Sequence, residues 1–159
     1  MMRTTSPPVM LVSCCLIAGC AVDGRGAKPD FSGTWVLDLS ASALESPPPD
    51  SSIFIIDHDE PTLLAQRTHV VDEEANTVES RFTTDSVVRA VRIGGLEIPT
   101  RVYWDGDVLV LDQAWSQGRV RVTNVVRYTL GMDGQTMVAD ESMRAGSNQH
   151  HNIWMFRRR

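Results

Sequence analysis

The stretch Arg119-Val120-Arg121-Val122-Thr123-Asn124-Val125-Val126-Arg127-Tyr128-Thr129-Leu130 decides the fold class. Val120, Val122, Val126, Tyr128 and Leu130 share one parity, and Arg119, Arg121, Thr123 and Arg127 share the other. Successive side chains of a strand point to opposite faces, so this alternation describes a strand with one buried and one wetted face. Asn124 breaks the rule, placing an amide in the apolar register. If buried it needs hydrogen-bond partners, ordered water or a polar ligand, because an unsatisfied amide costs roughly 1–3 kcal/mol.

Outward from this strand, turn signals and further alternating runs repeat. Gln117-Gly118 precedes it, and Asp133-Gly134 leads into a strand at 135–143. Asp105-Gly106 is the strongest hairpin signal in the chain and joins strands at 97–104 and 107–115. Upstream, strands are expected at 53–56, 63–71, 77–83 and 87–93, and the last at 152–157. Nearer the N-terminus, Trp35, Leu37 and Leu39 alternate with Thr34, Val36 and Asp38. Three consecutive prolines at 47–49 mark a loop with room for one helical turn near 41–44. Such an all-β chain, without a helix longer than a few residues, becomes a barrel or a sandwich. Sequential hairpins and the need to hide strand edges favour an up-and-down antiparallel β-barrel of about 8–10 strands. A barrel of about eight strands either fills its interior with side chains or holds one small ligand.

Composition sets the outer bounds. The 159 residues are 42% apolar and 22% charged with a net charge of −5, which suits one packed domain and argues against disorder. Fourteen of the fifteen basic residues are arginine, scattered among twenty acids, so there is no basic footprint for nucleic acid. No apolar run reaches the roughly 18 residues of a membrane-spanning helix.

Cys14, Cys15 and Cys20 are the only cysteines. From residue 21 onward a disulfide framework, a thiolate zinc site and a cysteine nucleophile are therefore excluded. A basic Arg3, an apolar stretch and small residues Ala18 and Gly19 form an export signal. Leu16-Ile17-Ala18-Gly19-Cys20 resembles the bacterial lipobox. The resemblance implies a lipoprotein signal peptide at 1–19, Cys20 acylated with palmitate-type chains, a tether over 20–30 and a domain at 31–159. An ordinary signal peptide is the alternative. Two or more acyl chains anchor stably. Ala21 rather than aspartate after the cysteine implies the outer membrane, facing the periplasm.

Phe31-Ser32-Gly33-Thr34-Trp35 opens the domain, and a Gly-x-Trp at the first strand resembles the signature of the calycin group, above all bacterial lipocalin-like domains. Similar phrases recur at Trp104-Asp105-Gly106-Asp107-Val108-Leu109-Val110, at Arg127-Tyr128-Thr129-Leu130 before Asp133-Gly134, and at the closing Phe156 with its arginines. The resemblance implies a lipocalin-like barrel closed at one end by Gly33, Trp35 and an arginine of the last strand. Arg158 shares parity with Trp154 and Phe156 and is the expected cover for the indole; Arg157 is the alternative if the strand bulges. Avidins share Gly-Thr-Trp, but the chain lacks their second tryptophan-rich spacing.

Reactive constellations are weak. Asp57-His58-Asp59-Glu60 collects oxygen and imidazole ligands in what reads as an exposed hairpin loop, and Asp72-Glu73-Glu74 is a solvated turn. His150 and His151 lie on a loop or at a strand start, and adjacent histidines on a strand point to opposite faces, which disfavours joint chelation. No nucleophile phrase is present. No catalytic residue, metal ligand or cofactor is therefore expected. Asn124, Tyr103, Trp104 and Tyr128 are the candidate ligand-lining residues, with Arg81, Glu141 and Gln66 behind them. The expected function is binding or carriage of a small apolar or amphipathic molecule by a lipid-anchored envelope protein. The alternative is an envelope protein-interaction module, an assembly partner or inhibitor, with a filled barrel and no ligand.

Overall fold

A computed structural model describes residues 27–159. Ten strands follow one another in a meander: β1 (Gly33–Leu37), β3 (Ser51–Asp59), β4 (Thr62–Val71), β5 (Glu74–Thr83), β6 (Arg89–Ile93), β7 (Leu96–Asp105), β8 (Val108–Gln117), β9 (Val120–Leu130), β10 (Thr136–Ala145) and β11 (Asn148–Arg158). A two-residue strand, β2 (Ala43–Leu44), pairs beside β11. Every pairing is antiparallel, and the first strand bonds to the last through Trp35↔Arg158 and Leu37↔Phe156. The right-handed twist of the strands thus rolls the sheet into a nearly closed, lipocalin-like barrel. One seam stays open: β5 and β6 lie side by side at the two ends of the hydrogen-bonded path.

The apolar parity of each strand faces the interior. Phe54 and Ile56 of β3, Leu63 and Ala65 of β4, Val122 and Val126 of β9, and Trp154 and Phe156 of β11 are buried. Trp35 and Phe31 are fully buried at one end, and the Trp35 Nε1 donates to the Phe31 carbonyl at 2.9 Å. Burying a ring of that size contributes several kcal/mol, and its one polar atom is satisfied. Together they form the floor of the barrel.

Several boundaries differ from the sequence pattern for identifiable reasons. Leu39 does not continue β1; Asp38 accepts a hydrogen bond from the Ala41 amide at 3.2 Å, starting a 3-10 turn at Leu39–Ala41 that leaves Leu39 exposed. Val87 and Val88 likewise fall before β6, because Asp85 accepts from the Val87 amide at 3.1 Å and turns the chain. Strand β3 runs beyond the expected residues 53–56 to Asp59 and carries His58 into the sheet with its side chain almost wholly buried, whereas Asp57, Asp59 and Glu60 stay exposed and Glu60 lies in the turn. Strand β11 begins at Asn148, which places His150 and His151 on a strand.

Candidate functional site

Two features divide the interior: a solid floor and a chamber above it. At the floor the Arg158 guanidinium lies 4.4 Å from the centre of the Trp35 ring, while its Nη1 donates to the Ser32 carbonyl at 2.6 Å and its Nε to the Gly134 carbonyl at 2.8 Å. Gly33 has φ +138°, and a Cβ there would sit 3.0 Å from the Arg158 Nη1, so glycine is required both by the backbone and by the arginine. Arg157 points the other way and pairs with Asp38 at 2.7 Å. Beside these, the His58 Nδ1 accepts from the Phe31 amide at 3.3 Å and its Nε2 meets Glu60 at 2.9 Å. Glu60 also accepts from Thr84 and, at 3.1 Å, from the Trp104 Nε1. Burial raises the pKa of Glu60, but its hydrogen bonds from Thr84, His58 and Trp104 outweigh that and hold the carboxyl below its usual range.

Just above, Phe31, Ile56, Leu63 and Phe82 help enclose a gap of about 20 Å³ whose lining is almost entirely apolar, Tyr128 being its one polar side chain. Such a space offers a water molecule few hydrogen-bond partners. Higher still lies a chamber of about 220 Å³. Its apolar wall comes from Phe54, Phe82, Ile93, Leu111 and Val126, and its polar wall from Arg67, His69, Gln113, Asn124, Tyr128 and Glu141.

The polar wall is organised and incompletely satisfied. A relay runs round the barrel: Thr100 Oγ1 donates to the Ile98 carbonyl at 2.9 Å, Gln113 Nε2 to Thr100 Oγ1 at 3.1 Å, and Asn124 Nδ2 to Gln113 Oε1 at 3.3 Å. This fixes the Asn124 amide and leaves its Oδ1 buried without a partner. Opposite in chemistry, Arg67 is a buried guanidinium whose Nε reaches Ser52 Oγ only at 3.5 Å and whose Nη2 has no partner. Its plane packs among Trp154, Phe156 and Phe54, at 4.9, 5.5 and 5.6 Å from the ring centres. Burial pushes its pKa down, against the opposing pull of Tyr128 and Glu141. Burial likewise holds the Tyr128 phenol protonated, with a pKa pushed up to about 12. Burial, and then the charge of Arg67, lower His69 to about 4, so its imidazole is neutral at pH 7. Glu141 Oε2 is occupied, accepting from Trp154 Nε1 at 2.8 Å and from Asn152 Nδ2 at 3.0 Å.

Of the residues singled out in the sequence, Asn124 and Tyr128 line this chamber. Tyr103 does not: it sits on the outer face of β7 beneath the Arg101 guanidinium, 4.9 Å from the ring centre. Consecutive strand residues cannot both face inward, and Trp104 takes the inner position. Trp104 in turn belongs to the floor, 6.0 Å from Phe31 and 5.9 Å from His58 between ring centres, and does not reach the chamber. Glu141 faces inward, whereas Gln66 is on the outside, bonded to Glu79 at 2.7 Å, and Arg81 is exposed. Cys20 lies outside the described residues. Arg67 is not among the residues the sequence singles out, and His69 is not among its lining candidates, although both continue the inward parity of Leu63 and Ala65. Asn152 was overlooked too: it is 3% exposed, and its Oδ1 accepts from the amides of Glu45 at 2.9 Å and Ser46 at 3.1 Å, tying the proline-bearing loop to β11.

Among the described residues, no group of three or more histidine, cysteine, aspartate and glutamate side chains converges as a metal site. None of the helices there is long and apolar enough to cross a membrane. A larger hollow of about 420 Å³ between Ile55, Leu64 and Arg81 lies on the outer side of β3–β5, open to solvent. It offers no buried unpartnered polar atom comparable to Arg67 or Asn124. No known protein-family model matches the chain, and no curated protein matches it significantly.

Proposed function

We propose that this protein is a lipid-anchored, cell-envelope binding or carrier barrel for a small apolar or amphipathic molecule, held at the membrane through acylated Cys20. The observation that carries the reading is the chamber: an apolar and polar lining above a solid floor, in a barrel with an unbonded seam beside it. Phe82 of β5 and Ile93 of β6 line both the chamber and that seam, so a ligand passing between these strands breaks no ladder hydrogen bond. At about 220 Å³ the space is below the roughly 300 Å³ at which drug-sized pockets begin. The molecule carried is accordingly small.

Native mass spectrometry of the purified protein, after incubation with cell-envelope extract, tests carriage. A reproducible adduct of low mass is expected, and unliganded protein across many extracts refutes the proposal in favour of a protein-interaction module. Metabolic labelling with palmitate tests the anchor, with label expected on the natural protein and absent from Cys20→Ala.

A further inference from the structure

We infer that the chamber is built for the head of a small carboxylic acid bearing a hydroxyl or amide N–H next to its carboxylate, with Arg67 holding the carboxylate and Asn124 accepting from the neighbouring donor. The inference rests on the carrier reading and adds the class of ligand. Two buried side-chain atoms lack any partner among the described residues, Arg67 Nη2 and Asn124 Oδ1, and both belong to side chains that line this one chamber. One is a cationic donor and the other a neutral acceptor. A ligand that satisfies both brings a strong acceptor and a donor on the same small head.

The acceptor is anionic for a reason of charge. Arg67 is a full positive charge in the barrel interior, and among the described residues no carboxylate lies within 4.0 Å of it. The faces of Phe54, Trp154 and Phe156 compensate a guanidinium only in part. The Glu141 carboxylate is turned to Trp154 and Asn152, which already occupy its Oε2. An arginine fork matches a carboxylate in shape, and charge-assisted bonds are about twice as strong as neutral ones. The donor side follows from the relay. Gln113 Oε1 accepts from Asn124 Nδ2, so the unpartnered atom of Asn124 is its buried oxygen, and an O–H or N–H donor is what satisfies it. A chamber of about 220 Å³, equal to roughly seven water volumes, limits the molecule to a short chain seated against Phe82, Leu111 and Val126.

Three probes of matched length separate the terms: 2-hydroxyhexanoate, hexanoate and 1-hexanol, titrated calorimetrically into the purified full chain and into Arg67→Met and Asn124→Leu. The natural protein is expected to bind hexanoate at least tenfold more tightly than 1-hexanol, and 2-hydroxyhexanoate a further threefold or more. Arg67→Met removes the preference of acid over alcohol while leaving the alcohol unchanged, and Asn124→Leu removes only the hydroxyl increment. Equal binding of hexanoate and 1-hexanol by the natural protein overturns the assignment and leaves apolar carriage standing. Absence of binding by all three at millimolar concentration overturns both. These two outcomes need no variant, so they decide the matter even if a substitution unfolds the barrel.

Discussion

Replacing Gly33 by alanine tests the closed end of the barrel most sharply. The residue sits at φ +138°, a region that L-residues with a Cβ avoid at a cost of about 1–3 kcal/mol. The added methyl also meets Arg158 Nη1 at 3.0 Å and Cζ at 3.5 Å. That guanidinium is pinned by the Ser32 and Gly134 carbonyls, so it yields only by weakening those bonds and its seat over Trp35, worth about 0.5–2 kcal/mol. The two contributions sum to about 3 kcal/mol, which lowers Tm by about 10 °C in a domain of this size. Urea melts followed by tryptophan fluorescence measure it. Gly118→Ala is the control, since Gly118 also has positive φ (+62°) but nothing within 4 Å of its Cβ position, and should cost about 1 kcal/mol. A double-mutant cycle isolates the collision: in an Arg158→Ala background Gly33→Ala loses only the backbone part, so the pair costs about 1 kcal/mol less than the sum of the singles. A Gly33→Ala cost below about 1 kcal/mol, or additivity within about 0.3 kcal/mol, refutes the arrangement.

Asn152→Ala strips the amides of Glu45 and Ser46 of their acceptor and Glu141 of a donor; a loss of about 2–4 kcal/mol is expected in the same melts, and a loss under about 1 kcal/mol refutes its role as the tie of the loop. Arg67→Met should leave stability unchanged or raise it by about 1 kcal/mol or more, because it removes a buried charge without a close counter-ion; destabilisation beyond about 2 kcal/mol contradicts that account. His69 gives a pH dependence. Folded, it titrates at about 4, well below the 6.5 of the unfolded chain, so between those values the unfolded state binds the extra proton and stability falls as pH drops from about 6.5 towards 4. Because the ring is only half-buried, solvent screening reduces the effect to about 1 kcal/mol. His69→Gln should flatten that part of a melt series run from pH 7 to 4.5, and an unaltered slope refutes the assignment.

The repeating turns and alternation around Arg119–Leu130 made the meander legible, because a strand's two-residue period and the chemistry of its turns are local properties. The same parity argument indicates Arg158 rather than Arg157 as the side chain facing Trp35, and the guanidinium is found over that ring. Side-chain facing was ambiguous where two large residues are adjacent, as at Tyr103 and Trp104, since register across the barrel decides which one is inside. Asn124 stood out as an amide in an apolar row. Arg67 and His69 did not, because charged residues on strands ordinarily face water, and only Leu63 and Ala65 before them mark the inward side.

What the amino-acid order determined by itself is the set of short antiparallel strands, the glycines that turn them and the parity that sorts inside from outside. Each of these depends on neighbours a few residues away. Only the rolled sheet decided that Arg67, Asn124, Tyr128 and Glu141, from β4, β9 and β10, share one chamber and that β5 and β6 leave a seam. Those facts depend on strand stagger and closure, which bring together side chains more than seventy positions apart, and no local pattern encodes that distance.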